Sequence, residues 1–210
     1  MYRQLSLLQE SEAEKQLTWS QLPLPEAEVI MYQNVFDKNE GDQIFSELYG
    51  NTDWQQDTTR LYGKPVTLPR LTAWYGDQGK SYTYSKIKME PRPWTPTLIG
   101  IKLRIESIAN KQFNSVLLNL YRDGKDSIAW HSDDEPELGK NPVIASVSLG
   151  AVRRFMFKHK YKKELKFEIE VTDGSLLIMK GETQHFWQHQ IPKTAKMVQP
   201  RINLTFREII

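Results

Sequence analysis

From Val116 to Ile209 the apolar residues recur with a period of two, in short runs separated by turn signals. Val116-Leu-Leu-Asn-Leu-Tyr121, Val143-Ile-Ala-Ser-Val-Ser-Leu149, Arg153 to His159, Lys166 to Val171, Ser175-Leu-Leu-Ile-Met179 and Arg201 to Ile209 each read as a strand. Asp123-Gly124 and Gly150 mark turns, and Asp173-Gly174 predicts a tight hairpin. Many short strands must hide their apolar faces against one another, so this half of the chain closes as a sandwich or jelly-roll barrel. Two helices precede it. Asp37-Lys-Asn-Glu40 is a capping-box pattern, with Asp37 as N-cap and Glu40 reaching back, and opens a helix through Ile44, Phe45 and Leu48 that ends near Gly50. Pro96 starts an amphipathic helix with Leu98, Ile101, Ile105 and Ile108 on one face. The fold class is therefore α+β with a mainly β core, the helices buttressing one sheet.

The 210 residues are room for one domain. Residues 1–30, polar and then punctuated by Pro23 and Pro25, read as a loosely packed arm, leaving 31–210 as a single domain. Cysteine is absent, which excludes disulfides, thiolate metal sites and a Cys nucleophile and fits a reducing compartment. No run approaches the roughly 18 apolar residues of a membrane span, so no membrane partner is expected. The N-terminus lacks the apolar core of a signal peptide, which points to an intracellular protein, in the cytoplasm of a bacterium or the nucleus of a eukaryote.

A net charge of +2 conceals an asymmetry. Residues 1–59 carry three Lys or Arg against eleven Asp or Glu; residues 60–104 carry nine against two. A second basic run spans Arg153 to Lys166. In the middle segment Tyr62, Trp74, Tyr75, Tyr82, Tyr84 and Trp94 are interleaved with the cations. Cations that neutralise phosphates and aromatics that stack bases make up a nucleic-acid surface, although aromatics in strands also serve as core and charge runs as solvated faces.

Histidine chemistry has only His131, His159, His185 and His189 to draw on. In Trp130-His-Ser-Asp-Asp-Glu135, His131 and Asp133 are two apart and project to the same side of an extended segment. With His189 they make two imidazoles and one carboxylate, the facial triad of a non-haem Fe(II) oxygenase, which leaves three metal positions open. On the last strand Ile202, Leu204 and Phe206 share one face, and Arg201, Asn203, Thr205 and Arg207 the other. A solvated face gives this pattern; so does a barrel mouth that holds an anion, since arginine's planar fork matches a carboxylate. Asn119 and Tyr121 form another two-apart polar pair.

These motifs resemble the AlkB-type Fe(II)/2-oxoglutarate dioxygenases that repair alkylated nucleic acids. The resemblance runs from about Tyr62 to Ile209 and is densest in Asn119-Leu-Tyr-Arg-Asp-Gly124, Trp130 to Glu135, Ile144-Ala-Ser-Val-Ser-Leu-Gly150, Gly174-Ser-Leu-Leu-Ile-Met179 and Pro200-Arg-Ile-Asn-Leu-Thr-Phe-Arg207. It implies a double-stranded β-helix (jelly roll) with an N-terminal nucleotide-recognition extension at about 60–94, and a monomeric catalytic domain. Fe(II) would be held by His131, Asp133 and His189, with 2-oxoglutarate and O2 as co-substrates. Arg201, helped by Tyr121, would clamp the distal carboxylate of 2-oxoglutarate, and Asn119, Asn203, Thr205 and Arg207 would line the rest of its pocket. The reaction implied is oxidative demethylation of N1-methyladenine and N3-methylcytosine in DNA, or in RNA, releasing formaldehyde, succinate and CO2. Asp134 and Glu135 match the family's base-recognition acids, Tyr82, Thr83 and Tyr84 the segment covering the flipped base, and Tyr62 a loop that carries a stacking wedge. The spacing to Arg201 favours His189 over His185 as third ligand, leaving His185 to pack beside Phe186 and Trp187 and His159 on the surface or against a phosphate. Rival readings are an AlkB-like hydroxylase of RNA or protein, and an idle jelly roll that only binds nucleic acid.

Overall fold

The computed structural model describes residues 17–61, 64–79, 82–84, 87–89 and 91–210. In chain order the elements are β1 (Thr18–Gln21), β2 (Glu28–Gln33), α1 (Lys38–Asn51), β3 (Thr58–Leu61), β4 (Lys64–Thr67), β5 (Leu71–Gly76), β6 (Tyr82–Tyr84), β7 (Ile87–Met89), α2 (Pro96–Ala109), β8 (Ser115–Tyr121), β9 (Ile128–His131), β10 (Ile144–Gly150), β11 (Arg153–His159), β12 (Lys166–Val171), β13 (Ser175–Lys180), α3 (Thr183–Phe186), β14 (Trp187–Ile191) and β15 (Arg201–Arg207). A seven-stranded sheet runs in the order β1-β2-β13-β10-β15-β8-β5, and a four-stranded sheet in the order β12-β11-β14-β9. From β8 onward the chain passes back and forth between the two sheets, which is the winding of a jelly roll.

The middle of the large sheet, β13-β10-β15-β8, is buried on both faces. One face carries Val116, Leu118, Leu120, Ile202, Leu204 and Phe206 against Leu98, Ile101 and Ile105 of α2. The face toward the small sheet carries Leu117 and Tyr121, which join Phe155, Phe157, Met179, Trp187 and Ile191 in a second core. This double burial explains why β8 and β15 bury every residue along their length. The polar residues of the last strand therefore face the interior between the sheets, not water. Helix α2 begins as expected, with Pro96 in the first turn and the Thr95 side chain accepting from the Leu98 N–H. At α1 the Asp37 carboxylate accepts from the Glu40 N–H, but the Glu40 carboxylate pairs with Arg104 of α2 at 2.6 Å instead of reaching back to the cap.

Two further expectations change. Asp173-Gly174 is not a hairpin turn: β12 pairs with β11 in the small sheet, while β13 pairs with β10 and β2 in the large one. The dipeptide instead carries the chain from one sheet to the other. Gly174 sits at φ +68°, and a Cβ there would lie 2.0 Å from the Phe36 carbonyl oxygen. The described part of the expected arm, residues 17–30, is built into the sheet. Strand β2 pairs with β13 over Glu28 to Tyr32, Leu22, Leu24 and Val29 are buried, and the Trp187 indole donates to the Pro25 carbonyl at 2.9 Å. Proline punctuates a bend here, not disorder. Residues 1–16 lie outside the described residues.

Candidate metal centre and co-substrate pocket

Strands β9 and β14 pair so that His131 stands opposite His189, with ring centroids 4.2 Å apart. Asp133 lies two residues past the end of β9, and one ligand atom from each of these three residues falls within 4.8 Å of the others. The Nδ1 of His131 lies 2.8 Å from the Ala129 carbonyl oxygen. A carbonyl only accepts, so Nδ1 carries the proton and Nε2 presents a bare lone pair. The His189 ring stacks on Phe155, with centroids 5.3 Å apart. Burial drives both imidazoles toward the neutral, metal-binding form: His131 is lowered, and His189, also repelled by His131, falls to about 3. Burial pushes the Asp133 carboxyl the other way, but Arg207 and the two imidazoles overcome it and bring it to about 2. The Arg207 guanidinium donates to Asp133 Oδ1 at 2.6 Å, whereas buried Oδ2 makes no hydrogen bond. Two neutral imidazoles and a carboxylate with an idle oxygen are the donor set that suits Fe(II).

The cavity behind this triad is lined on the large sheet by Leu117, Asn119 and Tyr121 of β8, Ser146 of β10, and Arg201, Asn203, Thr205 and Arg207 of β15. Register places Arg201 opposite Tyr121 and Asn203 opposite Asn119. Asn203 donates to Ser146 Oγ at 2.8 Å and accepts from Thr205 at 2.9 Å, while Asn119 Oδ1 accepts from Arg70 Nε at 2.7 Å. Arg201 is fully buried. Its Nη2 donates to Ser148 Oγ at 2.8 Å, its Cζ sits 5.2 Å from the centre of the Tyr121 ring, and its Nε and Nη1 make no hydrogen bond. Burial lowers this guanidinium to about 10, against the pull of the Tyr121 phenol. A buried arginine with two nitrogens left without a hydrogen bond calls for an anion, and a carboxylate supplies one with matching geometry. The residues present thus fit both Fe(II) and the distal carboxylate of 2-oxoglutarate.

The expected substrate residues are less gathered. Asp134 is exposed and accepts from Lys160 Nζ at 3.0 Å, so part of its charge is already answered. Glu135 Oε2 is buried without a hydrogen bond. Tyr82, Thr83 and Tyr84 form β6, paired with β7 through Tyr82–Met89, Thr83–Lys88 and Tyr84–Ile87. Tyr62 lies outside the described residues. Trp74 and Tyr75 are core side chains, and Trp94 stacks on Phe206, so these three are not a base-stacking platform. The acidic and basic segments partly answer each other, with Asp53 to Arg92 at 2.8 Å, Glu40 to Arg104 at 2.6 Å and Glu26 to Lys162 at 2.7 Å. His185 is exposed, not packed among aromatics, and bonds Asn141 at 2.7 Å. His159 is buried, not on the surface: its Nδ1 accepts from the Tyr161 and Lys162 N–H groups and its Nε2 lies 2.9 Å from a Glu26 carboxylate oxygen. Sequence reading passed over Arg70, Gln184, Ser146 and Ser148. The two serines carry the same two-apart signal as Asn119 and Tyr121; Arg70 and Gln184 carry none.

A model of the 2OG-Fe(II) oxygenase superfamily matches residues 28–207. Alpha-ketoglutarate-dependent dioxygenase alkB homolog 3 of Mus musculus is 45% identical over 196 residues, covering 89% of this chain and 68% of that protein. DNA oxidative demethylase ALKBH2 of Homo sapiens is 39% identical over 189 residues, covering 85% and 72%. The solved structure of OsALKBH1 superposes with a TM-score of 0.66 at 16% identity, covering 91% of this chain and 100% of that one, a likeness of fold. A jelly roll that brings two histidines, an aspartate and a buried unsatisfied arginine to one cavity, matched over most of its length by these relatives, makes the chain a member of the AlkB family of Fe(II)/2-oxoglutarate-dependent dioxygenases.

Proposed function

We propose that the chain is an oxidative DNA demethylase that takes the methyl group from N1-methyladenine and N3-methylcytosine, with one catalytic domain that adds β1 and β2 to residues 31–210. Relatives named DNA oxidative demethylase, at 38–39% identity in three mammals, support the substrate class. The observation that carries the reading lies in the acids that follow the liganding Asp133. Asp134 and Glu135 put two carboxyl groups beside the metal loop, one of them with a buried oxygen that no protein group answers. A cationic methylated ring or an exocyclic amino group answers such an acceptor.

The methyl group of either lesion sits on the Watson–Crick edge, so the base must leave its stack before it reaches the cavity. Tyr82, Thr83 and Tyr84 of the β6–β7 hairpin cover it there, and Tyr62 serves as the wedge that fills the gap in a duplex. Iron, 2-oxoglutarate and O2, when bound, supply the oxidation that hydroxylates the N-methyl carbon. The chain's own residues do the rest. Arg201 and Tyr121 orient the co-substrate carboxylate. Asp133, fixed by Arg207, and the two neutral imidazoles would hold the ion. Leu117, Ile128, Phe155, Met179 and Ile191 give the cavity its apolar lining. The hydroxymethylated base then loses formaldehyde and regains its unmodified nitrogen.

The test is formaldehyde release from matched DNA and RNA oligonucleotides that each carry one N1-methyladenine. Release from DNA that depends on 2-oxoglutarate, and falls further in Asp134→Ala than DNA affinity does, is the expected result. Preference for the RNA would transfer the reading to RNA, and no formaldehyde from either would overturn it.

A further inference from the structure

Two consecutive residues of the metal-ligand loop are tied directly to the segment that introduces the other half of the site, and a third is tied to it through Lys160. Ser132 Oγ donates to the Trp187 carbonyl at 2.9 Å. The Asp133 N–H donates to Gln184 Oε1 at 2.9 Å. Asp134 Oδ2 accepts from Lys160 Nζ at 3.0 Å, and the same ammonium donates to the Gln184 carbonyl at 2.8 Å. The partners are 55, 51 and 26 residues apart in sequence, so none of these bonds is a by-product of local turn geometry. Gln184 lies in α3, immediately before β14, the strand that carries His189.

Gln184 is 1% exposed. A primary amide at that depth is costly unless its hydrogen bonds are made, and a methionine or leucine would fill the same space without the cost. Its Nε2 has a weak partner, the Met179 thioether at 3.7 Å. The strong bond is the one to Asp133. We propose that Gln184 is a positioning residue for the metal centre, and that the clasp it forms with Lys160 sets how tightly the ion is held. Asp133 is thereby fixed at both ends, its backbone by Gln184 and its carboxylate by Arg207. Without the Gln184 acceptor the Asp133 N–H is buried and unpaired, and the loop is free to swing Asp133 relative to His189. A metal ion senses that freedom directly, because its affinity depends on ligands held in place before it arrives. Asp134, the acid next to the ligand, is set by the same clasp.

The test uses the full chain. Mn(II) binding is measured by calorimetry, the visible spectrum of the Co(II) form reports the ligand field, and the melting temperature of the metal-free protein reports the fold. Gln184→Met is expected to weaken Mn(II) binding by about 10- to 100-fold and to shift the Co(II) bands. Gln184→Glu keeps an acceptor oxygen in place and is expected to recover most of the affinity. A lower metal-free melting temperature in Gln184→Met, with unchanged Mn(II) affinity and Co(II) spectrum, is what mere packing predicts and would overturn the proposal. Should Gln184→Met not fold, Lys160→Met decides, since it removes the outer tie from a half-buried position: several-fold weaker Mn(II) binding supports the clasp, and unchanged binding overturns it. His131→Ala separates this from the metal assignment on which it rests. Mn(II) binding that survives His131→Ala would sink the metal reading, whereas loss there with no effect at Gln184 and Lys160 sinks the clasp alone.

Discussion

The Ala129 carbonyl chooses the tautomer of His131, the Arg207 guanidinium takes one oxygen of Asp133, and what remains exposed of each ligand is the atom a metal needs. Chemistry at this scale is settled by single hydrogen bonds. Arg201 is the clearest case: buried, held by Ser148 on one nitrogen and unanswered on two. Arg201→Lys keeps the charge but replaces a fork by a point, so the dissociation constant for 2-oxoglutarate should rise by the equivalent of about 1.5–3 kcal/mol. Calorimetry on the Mn(II)-loaded protein reads this, and unchanged affinity would remove Arg201 from the pocket. The ligands and this arginine were legible in sequence because strand geometry converts a spacing of two into a shared face. Gln184 and Arg70 were not. Each lies outside the alternating strands and meets its partner only through tertiary contacts, 51 and 49 residues away. His159 failed for the opposite reason: a lysine on either side looks like surface, yet β11 alternates along its length, and His159 is one of its buried residues.

Strands and helices divide the work. Strand β15 supplies Arg201, Asn203, Thr205 and Arg207 to the cavity, while Ile202, Leu204 and Phe206 lock it to α2. Phe206→Ala should therefore cost about 3–5 kcal/mol and drop 2-oxoglutarate binding with the fold, not independently of it. The α2 cap makes a milder prediction: Thr95→Ala leaves the Leu98 N–H without its acceptor and should lower stability by about 1 kcal/mol, read as a shift in urea midpoint at constant slope. Gly174→Ala should cost more than about 1 kcal/mol, because the left-handed backbone and the Phe36 carbonyl both oppose a Cβ. Existence and type of these elements followed from periodicity and caps. Their partners did not. Asp-Gly marks a sharp reversal wherever it occurs, but whether the next strand returns to the same sheet depends on which sheet has an unfilled edge, which no local pattern records.

Seen as a whole, the molecule is a large sheet backed by helices and facing a small one, with its polar residues concentrated in the space between them. Such a cavity holds cost in the protein: Asp133 and Arg201 are buried with hydrogen-bonding atoms unused, beside His131 and His189. Metal binding is therefore linked to stability. Mn(II) at a hundred times its dissociation constant should raise the unfolding free energy by about 2.7 kcal/mol, visible as a higher melting temperature, and chelation should reverse it. Charge also acts at this scale. The acidic N-terminal segment neutralises part of the basic middle one within the fold, so the charge map read from sequence overstates what is left for phosphates. The anaerobic addition of 2-oxoglutarate to the Fe(II) protein, followed by visible charge-transfer absorption, tests the account most directly, because the band requires metal and co-substrate in one cavity. The band should form in the native chain and in His185→Ala, should be absent from His189→Ala, and should need far more 2-oxoglutarate in Arg201→Lys. A band that survives His189→Ala and vanishes in His185→Ala would contradict the metal centre described here.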